Sequence, residues 1–445
     1  MHKRAYGAVA VSGVAALALS ACGGSSPAPP TPDAGASSAA ATAPASAAGP
    51  AETLATGADA ARDASADLVI WSDADRSAAI QKYADQFGQE NGIKVKVQIS
   101  TDTRQQFKDA TKVGKGPDVI VGAHDWLGEL VQNSTVAPVN LSSDVASKFL
   151  PQAIAATKFN GQSYGVPYAV ENIGLMYNKD LVPTPPRTMS ELVSVGEKLM
   201  KEGKTKGVLS QFVSKVGNAY FAYPYFSAFP GGGIFGTTAD GGYDPNKLLV
   251  DSAGSVDGGK VLVDLGKKKV LSTNVDDTNQ DALFDTKAVP FMISGPWSVG
   301  KAADAGINYG IAPLPSLDSY GGGAMKPFLG VQMFYVSSKA KNAALAQEFV
   351  TNYIPRKDVQ LALFEVGKRP PALTEAYDEV SAKDADVKAW FEAGKDGLPM
   401  PNIPAMNSVW GPFGQATADL IAGKADAKSR LDAAAKEIAA NIKKG

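Results

Sequence analysis

The chain has 445 residues, a formal net charge of −2, one cysteine and two histidines. These counts exclude an intramolecular disulfide and the cysteine–histidine sites that hold structural zinc or iron–sulfur clusters. The near-zero net charge provides no basic face for nucleic acid. We therefore expect no metal, no cofactor and no nucleic-acid partner, and the length allows two or three domains of roughly 150 residues each.

The N-terminal residues 1–21 have the pattern of a secretory signal peptide. Lys3 and Arg4 form a basic start, and the apolar run 5–19 is too short and wrongly flanked for a membrane-spanning helix. The motif Leu-Ser-Ala-Cys, which ends at Cys22, resembles a bacterial lipobox. This resemblance implies cleavage before Cys22, lipidation of that cysteine and an extracytoplasmic protein anchored to the cell membrane.

The next segment, residues 22–66, consists almost entirely of alanine, serine, proline, glycine and threonine. It contains no aromatic residue and a single leucine, Leu54. Such a segment cannot bury enough apolar surface to offset the entropy that ordering would cost, so we expect a disordered tether. The folded body should begin near Asp67.

Three strand-like runs open the body. Residues 68–71 and 117–121 are short and apolar, which is typical of buried strands, whereas residues 94–100 alternate with a period of two. Helical patterns separate the three runs, the first with apolar residues spaced over 80–87. This alternation predicts a parallel, doubly wound sheet whose ligands bind at the carboxyl ends of the strands.

The rest of the chain repeats these patterns. Residues 174–328 have strand and helix patterns of their own, 331–336 resemble another strand, and 343–353 resemble a helix. The last helix has Leu431 and Ile438 on one face. We therefore expect two large lobes.

His124 is the only histidine beyond the signal segment, and it lies in the loop-like sequence His124-Asp125-Trp126. As a catalytic base it would need Asp125 as its orienting partner. Adjacent residues on a loop rarely face each other, so we predict a structural, hydrogen-bonding histidine instead.

Three acids, Asp75, Asp125 and Glu171, each follow an apolar, strand-like run. Two of them could serve as the acid and base of a glycoside hydrolase, which the residues alone do not exclude. They could equally accept hydrogen bonds from sugar hydroxyls, because an ionised carboxylate can accept two donors side by side. Solvated surface acids are the third alternative.

Aromatic residues favour a sugar ligand. Tyr220, Trp297 and Trp410 lie in polar, loop-like settings, whereas Trp71 and Trp390 fit a strand and a helix as packing residues. Sugar rings have apolar faces that stack on aromatic rings, while their hydroxyls reach polar groups at the side. Acids and aromatics on the loops of two lobes therefore predict a carbohydrate site.

Short motifs are spread over the body in a fixed order. They are LVIW (68–71), GIKVKV (92–97), GPDVIVGAHD (116–125), YNKDLVPTPP (177–186), SGPW (294–297), INYGIAPLP (307–315), KPFLGV (326–331) and MPNIPAM (400–406). In this order they resemble the maltose- and maltodextrin-binding proteins of sugar ABC importers, within extracytoplasmic solute-binding protein family 1. The resemblance runs from about Leu68 to the C-terminus.

The resemblance implies an α/β protein with the two-lobed periplasmic-binding-protein fold. Each lobe would be a mainly parallel sheet flanked by helices, and a hinge would close the lobes over the ligand. The implied ranges are 67–169 plus 334–379 for the N-terminal lobe, 174–328 plus 386–445 for the C-terminal lobe, and 170–173, 329–333 and 380–385 for the hinge.

The resemblance also implies a sugar site in the cleft between the lobes. The residues expected to hydrogen-bond sugar hydroxyls are Asp75, Arg76, Asp125 and Glu171. Those expected to stack on glucose rings or to line the cleft are Tyr220, Trp297, Trp410 and Met400.

Five positions depart from the family pattern. Where the family prototype has a cleft tryptophan this chain has Gly122, and Trp126 replaces an arginine. Asn218 replaces a glutamate, and Gly411 and Gly414 stand where a tyrosine and an arginine are found. We include Trp126 and Asn218 in the expected site, with the hypothesis that Trp126 restores the stacking surface absent at Gly122.

The sequence therefore predicts a monomeric, lipid-anchored binding protein that is not an enzyme. Its ligand would be maltose or a maltodextrin, and its partners would be the membrane subunits of an ABC permease. Two alternatives stay open: a binding protein for another oligosaccharide such as trehalose, and a secreted glycoside hydrolase that uses Asp125 and Glu171.

Overall fold

The computed structural model describes residues 61–238 and 242–444. The predicted signal peptide, Cys22 and most of the predicted tether lie outside the described residues. Packed structure already begins at Arg62, ahead of the expected start at Asp67. The Arg62 guanidinium forms an ion pair of 2.8 Å with the buried carboxylate of Asp118 and so ties this end of the chain to the body.

Strands and helices alternate through the described residues. The strands are β1 Leu68–Ser72, β2 Val95–Ile99, β3 Val119–Ala123, β4 Val136–Ala137, β5 Lys158–Phe159, β6 Gln162–Ser163, β7 Gly165–Glu171, β8 Gly174–Asn178, β9 Leu209–Gln211, β10 Phe235–Thr237, β11 Tyr243–Leu248, β12 Phe291–Ser294, β13 Tyr309–Ala312, β14 Phe328–Ser337 and β15 Leu398–Pro399. The α-helices are α1 Ala74–Asn91, α2 Thr103–Lys112, α3 Leu127–Gln132, α4 Ser143–Ala146, α5 Pro151–Ala156, α6 Met189–Lys201, α7 Ala219–Ser227, α8 Ala253–Lys267, α9 Gln280–Asp285, α10 Val299–Asp304, α11 Ala343–Glu348, α12 Lys357–Gly367, α13 Thr374–Lys383, α14 Ala385–Gly394, α15 Asn407–Ile421 and α16 Ala427–Lys444.

The first sheet has the strand order β15-β14-β3-β1-β2, with β4 and β7 paired to β14. Strands β1, β2 and β3 are parallel to one another, as predicted from their alternation with helices. All five residues of β1 are buried, because helices cover both faces of the sheet. Helix α1 follows directly, since the Asp73 side chain caps it by accepting from the Arg76 backbone N–H at 3.1 Å.

The second sheet has the strand order β13-β8-β12-β9. Strand β12 is parallel to β9, but β8 is antiparallel to both of its neighbours. In the first sheet β14 is likewise antiparallel to β3, β4 and β7. The predicted α/β class is confirmed, but the sheets are mixed rather than mainly parallel, because β8 is antiparallel to both neighbours and β14 is antiparallel to β3, β4 and β7 while parallel to β15.

Each sheet has its own apolar core. We call the first sheet with α1–α5 and α11–α13 the first lobe, and the second sheet with α6–α10 and α14–α16 the second lobe. Trp71 is 1% exposed in the first-lobe core and Trp390 is 1% exposed in the second, which agrees with their predicted packing roles. With these definitions the chain passes between the lobes at the β7–β8 junction, at the start of β14, between α13 and α14, and on either side of β15.

None of the helices in the described part of the chain combines the length and the apolar character that crossing a membrane requires.

Candidate functional site

The sheet topology brings together residues that are distant in sequence. Strands β1 and β3 are parallel neighbours, so their carboxyl ends lie at one edge of the first sheet. Asp75 and Arg76 follow β1 in the first turn of α1, and Asp125 and Trp126 follow β3 in a short 3₁₀ turn. In the second lobe Trp297 follows β12 in the same way. These five predicted residues thus follow the carboxyl ends of strands.

Asp125 is a buried acid in the first-lobe wall, 6% exposed. Burial raises the pKa of its carboxyl from 3.8 to about 6, and the positive charge of Arg104, whose Nη1 lies 3.8 Å from Oδ2, opposes this rise. The indole N–H of Trp410, in the second lobe, also lowers this pKa, although its geometry falls short of a hydrogen bond. Trp410 of the second lobe therefore lies near Asp125 of the first.

Glu171 is held by two side chains that the sequence analysis missed. Its Oε1 accepts from Gln332 Nε2 at 2.8 Å, and its Oε2 accepts from Arg369 Nε at 2.5 Å. The Arg369 guanidinium carbon lies 5.2 Å from the ring centroid of Trp297 in the second lobe. Arg369 therefore connects an acid of one lobe to an aromatic ring of the other.

The second-lobe aromatics surround the first residue of β14. The rings of Tyr220 and Phe328 stack at 6.3 Å with an interplanar angle of 28°, and Trp410 meets Phe328 edge-on at 6.5 Å. The Tyr220 hydroxyl and the Trp410 indole N–H are both buried and have no hydrogen-bond partner among the described residues. Burial, together with the nearby charge of Glu171, raises the pKa of Tyr220 well above 10.

Trp126 fills the space above Gly122. A Cβ atom placed on Gly122 would lie 2.0 Å from Cζ3 of the Trp126 ring, which is far inside van der Waals contact. The Arg104 guanidinium carbon lies 6.0 Å from the ring centroid of Trp126. The Trp126 ring can therefore take this position because Gly122 has no side chain.

Asp75 and Arg76 have different surroundings. Arg76 is 8% exposed, and its guanidinium donates to Asp73, to Tyr168 and, at 3.1 Å, to Gln332. Its Nε is buried without a partner among the described residues. Asp75 is exposed, and its charge helps to raise the pKa of Lys301 in the second lobe, after the larger effect of a hydrogen bond to Asp281.

His124 is a hydrogen-bonding residue, as predicted. Its Nε2 donates to the backbone carbonyl of Met400 at 3.0 Å, and its Nδ1 accepts from the Val331 backbone N–H at 3.1 Å. Burial lowers the pKa of the imidazole from 6.5 to about 4 and so keeps it neutral.

Of the remaining predicted residues, Met400 is buried, with 5% of its surface exposed. Asn218 caps α7, because its Oδ1 accepts from the Phe221 N–H at 3.2 Å.

A cavity of about 430 Å³ lies beside the crossing segments. Its lining is largely apolar and includes Val170, Leu329 and Phe391. Of the predicted ligand-binding residues, Glu171 and Met400 line it and the others do not. The cavity therefore shares Glu171 and Met400 with the predicted site and does not include its other residues.

The residues missed at first, Arg104, Gln332 and Arg369, have weak sequence signals. Arg104 follows the carboxyl end of β2, the edge at which a ligand is expected. Gln332 is a polar residue within an apolar strand, and Arg369 precedes Pro370 and Pro371.

The described residues contain no group of three or more histidine, cysteine, aspartate or glutamate side chains that could hold a metal ion.

The chain resembles known proteins over most of its length. The family model described as "Bacterial extracellular solute-binding protein" matches residues 82–393. A galactooligosaccharide-binding protein of Bacillus subtilis (strain 168) is 32% identical over 386 residues, which cover 85% of this chain and 90% of that protein. A maltotriose-binding protein of Pyrococcus abyssi (strain GE5 / Orsay) is 30% identical, covering 72% of this chain and 69% of its own. A maltooligosaccharide ABC transporter solute-binding lipoprotein of Streptococcus pneumoniae (strain ATCC BAA-255 / R6) is 26% identical, covering 85% and 89% respectively.

Proposed function

Because the chain belongs to the bacterial extracellular solute-binding protein family, we propose that it binds maltose or maltodextrins between its two lobes and delivers them to an ABC importer. One observation carries this proposal: Glu171 of the first lobe accepts from Arg369, whose guanidinium carbon lies 5.2 Å from the ring centroid of Trp297, and the rings of Tyr220 and Trp410 pack against Phe328 nearby on β14. Aromatic faces and hydroxyl acceptors in one cleft match the two kinds of surface that a sugar presents.

The unpartnered polar atoms support a ligand that can accept hydrogen bonds. The Tyr220 hydroxyl, the Trp410 indole N–H and the Arg76 Nε are all buried donors without a partner among the described residues. A buried donor left unpaired costs about 1–3 kcal/mol, so a ligand that pairs it gains affinity. A sugar hydroxyl fits, because it accepts from such a donor and donates to a carboxylate such as Asp125.

The remaining predicted contacts belong to the same proposal. Asp75, Trp126, Asn218 and Met400 would complete the lining of the cleft. The two lobes would close over the sugar about the segments 170–173, 329–333 and 380–385. Closure would then be favoured by the amount by which the ligand binds the closed form more tightly than the open one.

We also propose that Cys22 is lipidated and anchors the protein outside the cytoplasm. The lipobox-like sequence supports this, as does the Streptococcus pneumoniae relative that is named a lipoprotein. Replacement of Cys22 by serine should move the protein from the membrane fraction to the soluble extracytoplasmic fraction. Unchanged membrane association of the variant would refute the anchor.

A second candidate function is the binding of another oligosaccharide. The Bacillus subtilis relative, which is named a galactooligosaccharide-binding protein, favours this alternative. Calorimetric titration with maltose, maltotriose, a galactotriose and trehalose separates these ligands. We expect saturable binding of maltose or maltotriose. Binding of galactotriose or trehalose alone would overturn the maltodextrin assignment and leave the solute-binding function in place.

The hydrolase alternative has less support. The similar proteins reported above are named binding proteins, and none of these is named a hydrolase. Ser163 lies in a Gly-x-Ser-x-Gly sequence, but on strand β6 of a short hairpin rather than on a strand-to-helix turn. Incubation with maltotetraose should give no shorter products, and their formation would refute a binding-only role.

A further inference from the structure

Arg104, at the start of α2, contacts both functional residues that follow β3. Its Nη1 lies 3.8 Å from Asp125 Oδ2, and its guanidinium carbon lies 6.0 Å from the ring centroid of Trp126. One cation therefore lies beside an expected hydroxyl acceptor and an expected stacking ring. Such a contact with a ring is attractive, because the electron-rich face of the ring stabilises positive charge.

The buried acid Glu129 lies near the Arg104 guanidinium and compensates part of its charge. The Arg104 Nε lies 3.9 Å from Glu129 Oε2, and Glu129 is 6% exposed. The other oxygen of Glu129 forms an ion pair with Lys108. The Arg104 side chain is 24% exposed, so its charge is partly solvated and is also compensated by the buried Glu129.

We propose that Arg104 is a positioning residue of the sugar site, which fixes the Trp126 ring over Gly122 and places a positive charge 3.8 Å from the Asp125 carboxyl. Its effect on sugar binding rests on the proposed function. Its effects on the ring and on the carboxyl do not, since both exist without ligand.

Of the charged and titratable groups that the structure describes around Asp125, Arg104 is the one that carries a positive charge. They are Arg104 from α2, Glu171 from β7, the neighbouring His124, which burial keeps neutral, and the phenols of Tyr220 and Tyr335, whose pKa values Asp125 helps to raise. Among these groups Arg104 carries the positive charge, and a positive neighbour favours an ionised carboxyl. The ionised form accepts hydrogen bonds through both oxygens, whereas the protonated form donates one.

The test compares Arg104→Met with Lys112→Met, which removes an exposed cation from the last turn of the same helix. Carbon-detected NMR titration of the ligand-free protein reports the Asp125 pKa, and the indole N–H signal reports the Trp126 ring. We expect Arg104→Met to raise the Asp125 pKa by about one unit or more and to shift or broaden the Trp126 signal. Arg104→Lys should restore the pKa, and Lys112→Met should match the wild type in both.

Maltotriose titrations between pH 5 and 8.5 test whether the Asp125 pKa, as changed by Arg104, controls sugar affinity. We expect the pH at which affinity falls by half to move upward in Arg104→Met and to stay at the wild-type value in Lys112→Met. A wild type that binds no sugar would refute the proposed function, while the ligand-free NMR would still decide the role of Arg104. An unchanged Asp125 pKa and Trp126 signal in Arg104→Met would overturn the inference.

Discussion

The ring of Trp126 occupies the space that a side chain at Gly122 would need, because a Cβ atom at 122 would lie 2.0 Å from Cζ3 of that ring. The ring can take this position only because residue 122 has no side chain. The relationship gives a physical basis to the hypothesis that Trp126 supplies the stacking surface absent at Gly122. Sugar binding by variants at the two positions can test it.

Replacement of Trp126 by alanine should weaken maltotriose binding by about tenfold, since an aromatic contact contributes on the order of 0.5–1.5 kcal/mol beyond its buried area. Calorimetric titration measures the change. Affinity equal to that of the wild type would show that the ring at 126 does not contact the sugar.

Gly122→Ala should also weaken binding, because the added methyl group must displace the Trp126 ring. Gly300→Ala is the matched control, since a Cβ at that helical position meets nothing within 4 Å. The control should bind maltotriose as the wild type does. Equal affinities for both glycine variants would contradict the coupling between Gly122 and Trp126.

Tyr220→Phe should lower the sugar affinity without lowering the stability of the ligand-free protein. The buried Tyr220 hydroxyl has no partner among the described residues, so its removal should not lower the melting temperature of the ligand-free protein. Sugar affinity should fall by about tenfold, because the ligand loses a donor. The control is Tyr225→Phe, which removes a hydrogen bond of 2.8 Å to Gln211 and should lower stability while leaving affinity unchanged. A Tyr220→Phe variant that is less stable but binds normally would contradict the assigned role.

The neighbours His124 and Asp125 should have opposite effects on stability as pH changes. The folded pKa of His124 is lowered from 6.5 to about 4, so its contribution is present above pH 6.5 and is lost as pH falls towards 4. The folded pKa of Asp125 is raised from 3.8 to about 6, so its contribution is present below pH 3.8 and is lost as pH rises through 6. Between these limits the two contributions partly cancel.

Urea unfolding at pH 7 and pH 5 tests this cancellation. From pH 7 to pH 5, the Asp125→Asn variant should lose more stability than the wild type, and His124→Asn should lose less. Each difference should be about 1–2 kcal/mol. Parallel pH profiles for all three proteins would show that these groups do not titrate as described.

Arg369→Met should destabilise the protein by about 3 kcal/mol, because it leaves Glu171 as a buried charge without its ionic partner. The double variant Arg369→Met with Glu171→Gln should recover part of this loss. Lys428→Met, which breaks the exposed pair with Asp432, is the control and should leave the urea midpoint unchanged. A loss in the control as large as that in Arg369→Met would argue against a specific effect of burial.

Much of the fold could be predicted from local patterns. The apolar run at 68–71 forms β1, the period-two run at 94–100 contains β2, and the run at 117–121 contains the first residues of β3. These patterns work because a strand covered on both faces is apolar throughout, whereas a strand covered on one face alternates apolar and polar residues. The directions of β8 and β14 were not predictable, since the same pattern fits a parallel and an antiparallel neighbour.

The sequence by itself determined the kinds of side chain available: a lone cysteine in a signal-like context, a body with one histidine, and acids and tryptophans after strand-like runs. Only the tertiary structure decided which of them meet. Gln332 is 161 residues from Glu171 and Arg369 is 198 residues from it, yet both donate to its carboxylate. Arg104 likewise reaches Asp125 from another helix. Such contacts depend on how strands are ordered in a sheet and how two lobes face each other, and no local periodicity records either arrangement.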